Sequence, residues 1–275
     1  MKKILVPTDF SDQAENALKV AAQLAKKHNA ELYLLHTLEL PMQKVDPLAA
    51  NENFPEAMFF MRLAHKNFET LLEKDYLKGI NVHEIVEFYE TFRGVFQVCK
   101  RNDIDLVVMG SHGTNSFREM LIGSNTEKVV RTSEVPVLVI KKEHPVFNID
   151  HIVFASNFKD YYKEPFIKAT KFAKLLDAKM HLLLVNTASY FLPTHDAIKR
   201  METFVKGSGF DNYTVNIYND LNVEKGIMNF SESIHADLIS MCTHGRQGIS
   251  NFFNGSISED LVNHAKRPVI TFKID

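Results

Sequence analysis

Val107-Val108-Met109-Gly110-Ser111-His112-Gly113, followed after nine residues by Gly123-Ser124, recurs in the second half of the chain. There it reads Ile239-Ser240-Met241-Cys242-Thr243-His244-Gly245, followed after nine by Gly255-Ser256. An apolar run that opens into a glycine loop and then a helix start is a candidate phosphate cradle, because backbone N–H groups and the positive end of a helix dipole converge there. The first copy keeps every element. The second carries Cys242 where its twin has Gly110.

The repeat extends over the whole chain. Ile4-Leu5-Val6-Pro7-Thr8-Asp9-Phe10 aligns with Ile152-Val153-Phe154-Ala155-Ser156-Asn157-Phe158 at an offset of 148, and Ala30–Thr37 falls on Ala178–Val185 at the same offset. Gly113 falls on Gly245 at an offset of 132, so the second copy is sixteen residues shorter between its second and third strands. A period this long signals duplicated domains rather than a solenoid. The domains are expected at 1–143 and 149–275. The junction Lys141-Lys142-Glu143-His144-Pro145-Val146-Phe147-Asn148 is polar, proline-marked and short, so the two should pack closely.

Each copy alternates short apolar runs with helical periodicity, the pattern of parallel strands joined by crossover helices. In the first copy strands are expected near 2–7, 31–37, 82–87, 105–109 and 136–141. A first helix starts at the N-cap Ser11 and places Ala14, Ala17, Leu18, Ala21, Ala22 and Ala25 on one face. A second helix is expected over 55–78, burying Met58, Met61, Leu63, Phe68, Leu71 and Leu72 and stopping at Gly79. A third covers 93–102, and a fourth starts after Gly123. The fold class is therefore α/β, with a doubly wound five-stranded parallel sheet in each copy. Ligands of such sheets bind beyond the strands' carboxyl ends at the topological switch point, where Asp9 and Gly110 should both lie.

Composition narrows the function. The 275 residues are 45% apolar, enough for ample core, and the net charge of −2 with Lys and Arg spread along both halves argues against a nucleic-acid partner. The start reaches Pro7 and Asp9 too soon for a signal peptide, and no run approaches membrane-spanning length. A cytoplasmic protein without a membrane partner is expected. Cys99 and Cys242 have no paired spacing, which fits a reducing compartment.

With these motifs in hand the chain resembles a tandem universal stress protein. The family pattern is a strand ending in Pro-Thr-Asp, then Gly, two residues, Gly, nine residues, and Gly with Ser or Thr. It matches Pro7-Thr8-Asp9 and Gly110, Gly113, Gly123-Ser124. The resemblance implies two Rossmann-type sheets of the adenine nucleotide alpha hydrolase-like class, packed as a pseudo-dimer, with ATP, ADP or AMP held by the first repeat. It implies that Asp9 lies by the nucleoside and that the backbone of Thr37 reads the adenine edge. The expected nucleotide-binding set is Pro7, Thr8, Asp9, Thr37, Gly110, His112, Gly113, Gly123, Ser124 and Asn125. No catalytic or protein metal-binding residues are assigned. Mg2+ would come only with the nucleotide.

The physical case is that glycines at 110 and 113 allow a positive-φ turn and close backbone approach to an anion. Gly123-Ser124 then presents N–H groups and a hydroxyl at the start of the fourth helix. Ser124-Asn125-Thr126-Glu127 also reads as a capping box, which explains the serine without any ligand. His112 and His244 either approach a phosphate or act as loop hydrogen bonders. ATP-binding members of the family usually carry glycine just after the third strand; here Tyr89 and Thr91 stand there, with Leu221 and Val223 in the second copy. Tyr89 either narrows the nucleoside pocket or stacks on a base. In the second copy Asp9 becomes Asn157 and Gly110 becomes Cys242, which argues against a full nucleotide site.

No general base, Walker lysine or acidic pair for Mg2+ accompanies the cradle, so turnover should be slow at most. The expected function is an adenine-nucleotide-binding stress-response regulator acting on unidentified protein partners. The competing reading is a nucleotide-free scaffold, in which the last strands of the two copies, 135–140 and 267–273, pair with each other or with a second chain. A nucleotide-dependent ligase or pyrophosphatase fails for want of a catalytic set.

Overall fold

The computed structural model describes residues 1–38, 54–111, 123–244, 261 and 264–274; the side chains of 54–56 and 244 are outside that description. The first repeat runs β1 (Lys3–Pro7), α1 (Asp12–His28), β2 (Glu31–Thr37), α2 (Phe54–Leu72), β3 (Val82–Glu87), α3 (Thr91–Asn102), β4 (Leu106–Gly110), α4 (Ser124–Thr132) and β5 (Val137–Ile140). The second runs β6 (His151–Ala155), α5 (Lys163–Leu176), β7 (Lys179–Asn186), α6 (Thr194–Val205), β8 (Tyr213–Asn219), α7 (Val223–Ser233), β9 (Leu238–His244) and β10 (Val269–Ile274).

Both repeats share one ten-stranded sheet in the order β3-β2-β1-β4-β5-β10-β9-β6-β7-β8. Every neighbouring pair is parallel except β5 and β10, which run antiparallel with Val269 opposite Val139 and Thr271 opposite Val137. The last strands of the repeats therefore pair inside the chain and cover each other's edge. Because that one junction reverses direction, the carboxyl ends of the first repeat's strands lie at one edge of the sheet and those of the second at the opposite edge. The pairing Lys3 with Glu31 in the first repeat recurs as His151 with Lys179 in the second, and Ile4 with Leu106 recurs as Ile152 with Leu238. Both offsets read from the sequence are thus present as register.

Two apolar layers sandwich the sheet. One gathers Ala17, Leu18 and Ala21 of α1 and Phe68 of α2 with Phe166 of α5 and Met201 of α6. The other gathers Val95 and Val98 of α3 and Val129 of α4 with Ile227 and Phe230 of α7. Each layer draws residues from both repeats, so the core is continuous across the β5–β10 seam. The linker is fastened to α1 by a single amide: Gln23 donates through Nε2 to the His144 carbonyl at 3.0 Å and accepts from Phe147 N at 2.7 Å. Lys19 adds an ion pair to Glu143 at 2.6 Å.

The α1 face is buried as the small-residue spacing predicts, and Ser11 caps the helix by accepting from Ala14 N. The second helix differs from expectation. It ends at Leu72, a short 3₁₀ turn occupies Asp75–Leu77, and Gly79 follows at φ +80. Phe68 and Leu71 are buried with Ala64, while Met58 and Leu63 are exposed. The helix is apolar on more than one face, and composition alone could not say which face meets the sheet. Among the described residues no helix is long and apolar enough to cross a membrane.

Candidate functional site

β1 and β4 lie side by side, and beyond them the order runs one way to β2 and β3 and the other way to β5. Their carboxyl ends form the switch-point crevice, bringing Pro7, Thr8 and Asp9 together with Gly110 and Ser111. Directly after β1, Phe10 takes a left-handed φ of 61, a conformation bulky side chains avoid. It is held there because its N–H donates to Thr8 Oγ1 at 3.0 Å and its ring packs against His36 and Phe68. Phe158 repeats the arrangement, with φ 56 and its N–H on Ser156 Oγ at 3.0 Å. The turn is signalled in the sequence by a hydroxyl residue two places before a phenylalanine in both copies, Thr8 before Phe10 and Ser156 before Phe158. It lets Ser11 donate to Asp9 Oδ1 from both its N–H (3.1 Å) and its Oγ (2.6 Å), fixing that carboxylate at the crevice.

His36 Nδ1 lies 2.8 Å from the Thr8 carbonyl, which can only accept, so Nδ1 carries the proton. Thr37, at the end of β2, shares a hydroxyl hydrogen bond of 2.9 Å with Thr91 of α3. α3 comes this close because residue 94 is glycine: a Cβ there would stand 2.8 Å from Thr37 Cγ2.

On the β4 side, Gly123 N donates to the Ser111 carbonyl at 2.8 Å and Thr126 Oγ1 to the Gly110 carbonyl at 2.9 Å. The start of α4 is thereby pinned to the end of β4. Gly123 is the N-cap and, having no side chain, leaves the first-turn N–H groups of Ser124, Asn125 and Thr126 without a side-chain cap. The expected capping box at Ser124 is therefore corrected. Helix α4 begins one residue earlier than that box requires, and Ser124 is its first helical residue rather than its cap.

Gly110 is also corrected. It is the last residue of β4, and the positive-φ glycines among the described residues are Gly79, Gly207 and Gly209. What requires glycine at 110 is the backbone of α1: a Cβ would meet the Gln13 carbonyl oxygen at 2.7 Å and its carbon at 2.9 Å. In the second repeat Cys242 is 6% exposed, and burial holds its thiol far above the usual range. The chain opposite it begins with a 3₁₀ turn, Asp160–Tyr162, where the first repeat has α-helix. Cys99, on α3, is likewise buried, with its thiol pushed up to about 12.

Tyr89 is half exposed and lines a groove with Phe92, Phe96 and Thr132, a set that includes none of Pro7, Thr8, Asp9 or Thr37. His112 and Gly113 lie outside the described residues, as do Gly245, Gly255 and Ser256. Of the expected set, Pro7, Thr8, Asp9, Gly110, Gly123, Ser124 and Asn125 gather at the crevice, with Thr37 one strand away. Among the described residues no three or more His, Cys, Asp or Glu cluster to hold a metal ion.

The sequence pattern of the universal stress protein family matches residues 1–141 and 219–273. Universal stress protein MJ0577 of Methanocaldococcus jannaschii is 33% identical over 156 residues, spanning 52% of this chain and 96% of that protein. Universal stress protein Slr1230 of Synechocystis is 22% identical over 293 residues, 99% of this chain and 100% of its own length. A solved universal stress protein from Archaeoglobus fulgidus superposes with a TM-score of 0.73 at 22% identity, covering 99% of this chain and 96% of that one, and shares the fold. The family pattern thus falls on both repeats of the one continuous sheet, and the chain belongs to the universal stress protein family as a tandem of two of its units.

Proposed function

We propose that the first repeat, residues 1–143, binds ATP or another adenine nucleotide, and that the chain acts in the cytoplasm as a stress-response regulator rather than as an enzyme. The carrying observation is the junction of β4 with an α4 N-terminus that has no side-chain cap, next to an Asp9 carboxylate held in place by Ser11. First-turn N–H groups at the positive end of a helix suit phosphate oxygens. The carboxylate beyond β1 suits ribose or base donors. These residues fit a nucleotide; a Mg2+ ion would be brought by the phosphates, which carry their own oxygen ligands. The nucleotide would supply the signal: regulation follows if a partner distinguishes the loaded from the empty chain.

The second repeat, residues 149–275, lacks both the carboxylate and the glycine, so it is assigned no nucleotide. The competing scaffold reading has the last strands of the two copies pair with each other or with a second chain, and β5 and β10 pair within the chain, an arrangement compatible with either reading.

Ser124→Pro tests the cradle without disturbing the helix, since proline is favoured at the first helical position and removes one N–H and one hydroxyl. ATP affinity in calorimetric titration is expected to fall by about tenfold, the worth of one hydrogen bond to a charged group. Unchanged affinity in the variant would remove the cradle from the binding site.

A further inference from the structure

Beyond the carboxyl ends of β6 and β7, at the opposite edge of the sheet from the Asp9 crevice, lies a cavity of about 350 Å3. Its volume falls in the range of small-molecule sites, which begins near ~300 Å3. Its shape is set by a short clasped loop. Asn186, buried at the end of β7, donates through Nδ2 to the Leu192 carbonyl at 3.0 Å and accepts from Leu192 N at 3.1 Å. That pair of hydrogen bonds holds residues 187–192 beside the cavity, with Phe191 in its wall.

Register between the repeats shows how the lining has changed. His36, Thr37 and Thr91 of the first repeat correspond to Leu184, Val185 and Val223, all of which line the cavity. The Thr37–Thr91 hydroxyl bond has no counterpart, and the wall has become apolar. Charge has changed in the other direction. Asp9 and Ser11 correspond to Asn157 and Lys159, and α6 contributes Arg200, so an anionic mouth has become cationic. Asn157 accepts from Lys159 N through Oδ1, and its Nδ2 is buried with no hydrogen-bond partner among the described residues.

We propose that this cavity is a binding site for a small organic anion with an apolar body, of the medium-chain or aryl carboxylate class. Its apolar part packs against Val185 and Val223, and its carboxylate faces Arg200. Apolar walls select against the polyhydroxylated, polyphosphorylated body of a nucleotide, while the cation retains a carboxylate against release to water. The two repeats would then sense different ligands at opposite edges of one sheet. This inference stands apart from nucleotide binding by the first repeat, and either can fail alone.

The test titrates octanoate and 3-phenylpropionate into the full chain by calorimetry, with octanol and acetate as controls and ATP as a competitor. At least one of the two larger carboxylates should bind saturably, one per chain, with acetate and octanol each much weaker and ATP without effect on the midpoint. Arg200→Gln, a change on the partly exposed side of α6 whose folding is checked by circular dichroism, should weaken the bound carboxylate by about tenfold. Val223→Asp should abolish its binding. No saturable binding of either larger carboxylate, octanol binding as tightly, an unaffected Arg200→Gln protein, or displacement by ATP would each overturn the proposal.

Discussion

Gly110 ends β4 against the backbone of Gln13, so closely that a single added methyl group would stand 2.7 Å from the Gln13 carbonyl oxygen. The glycine that marks the cradle in the sequence is thus required by the packing of α1 on β4. Register places Tyr161 and Tyr162 of the second repeat where the first has Gln13 and Ala14. There the first turn is a 3₁₀ turn and the opposing residue is Cys242, so strand end and helix start have changed together.

Gly110→Ala should therefore destabilise the protein by about 1–3 kcal/mol, the usual cost of overpacking a rigid neighbour. Urea unfolding reads this as a lower midpoint at unchanged slope. A wild-type midpoint would mean that α1 yields freely. Because the substitution moves α1, it also disturbs Asp9 and Ser11, and loss of ligand in this variant would not by itself locate the phosphate.

Ser11 both caps α1 and donates to Asp9 at 2.6 Å. Ser11→Ala should cost about 1 kcal/mol, the typical worth of an N-cap. Chemical denaturation checks the value, and a neutral substitution would show that the Asp9 turn caps the helix unaided.

Gly94 and Gly226 occupy matching positions on α3 and α7. An added Cβ would press on Thr37 Cγ2 in the first case and, more closely, on Val185 Cγ1 in the second, with Val185 Cγ2 also in tight contact. Valine has little freedom to rotate away. Gly226→Ala should accordingly be the more damaging of the two, at about 2–3 kcal/mol, and, by displacing Val185, should narrow the cavity in the second repeat as well. Thermal melts of the two variants side by side decide the order.

Burial holds the Lys141 ammonium at about 8, below the ordinary 10.5. With the folded value the lower, the unfolded chain binds more protons between these limits, and stability contributed at this position rises with pH across that window. Lys141→Met should be the more stable protein at pH 7, and its advantage should shrink as pH approaches 10.5. Urea melts at several pH values would contradict this if the two proteins ran parallel throughout.

Local patterns carried most of the fold. The five strands of the first repeat, the Ser11 cap and the buried alanine face of α1 all follow from runs and spacings within a single element. The repeat offsets carried the rest of the topology, because matching residues must take matching register. Contacts between distant segments were not legible. Gly110 looks like a turn glycine until Gln13 is seen against it, and α2 shows apolar residues on several faces without saying that Ala64, Phe68 and Leu71 meet the sheet. The cavity of the second repeat was missed for a different reason. Asn157 and Cys242 read as losses, whereas Leu184, Val185, Lys159 and Val223 read together describe a different lining.

The central claim is that the two repeats are unequal, with one nucleotide site in the first. Calorimetric titration of the full chain with ATP tests it most directly. One site per chain is predicted, lost in Asp9→Asn, which places in the first repeat the residue found at the matching position of the second. Two equivalent sites per chain, or no heat at all with ATP, ADP and AMP, would contradict the account.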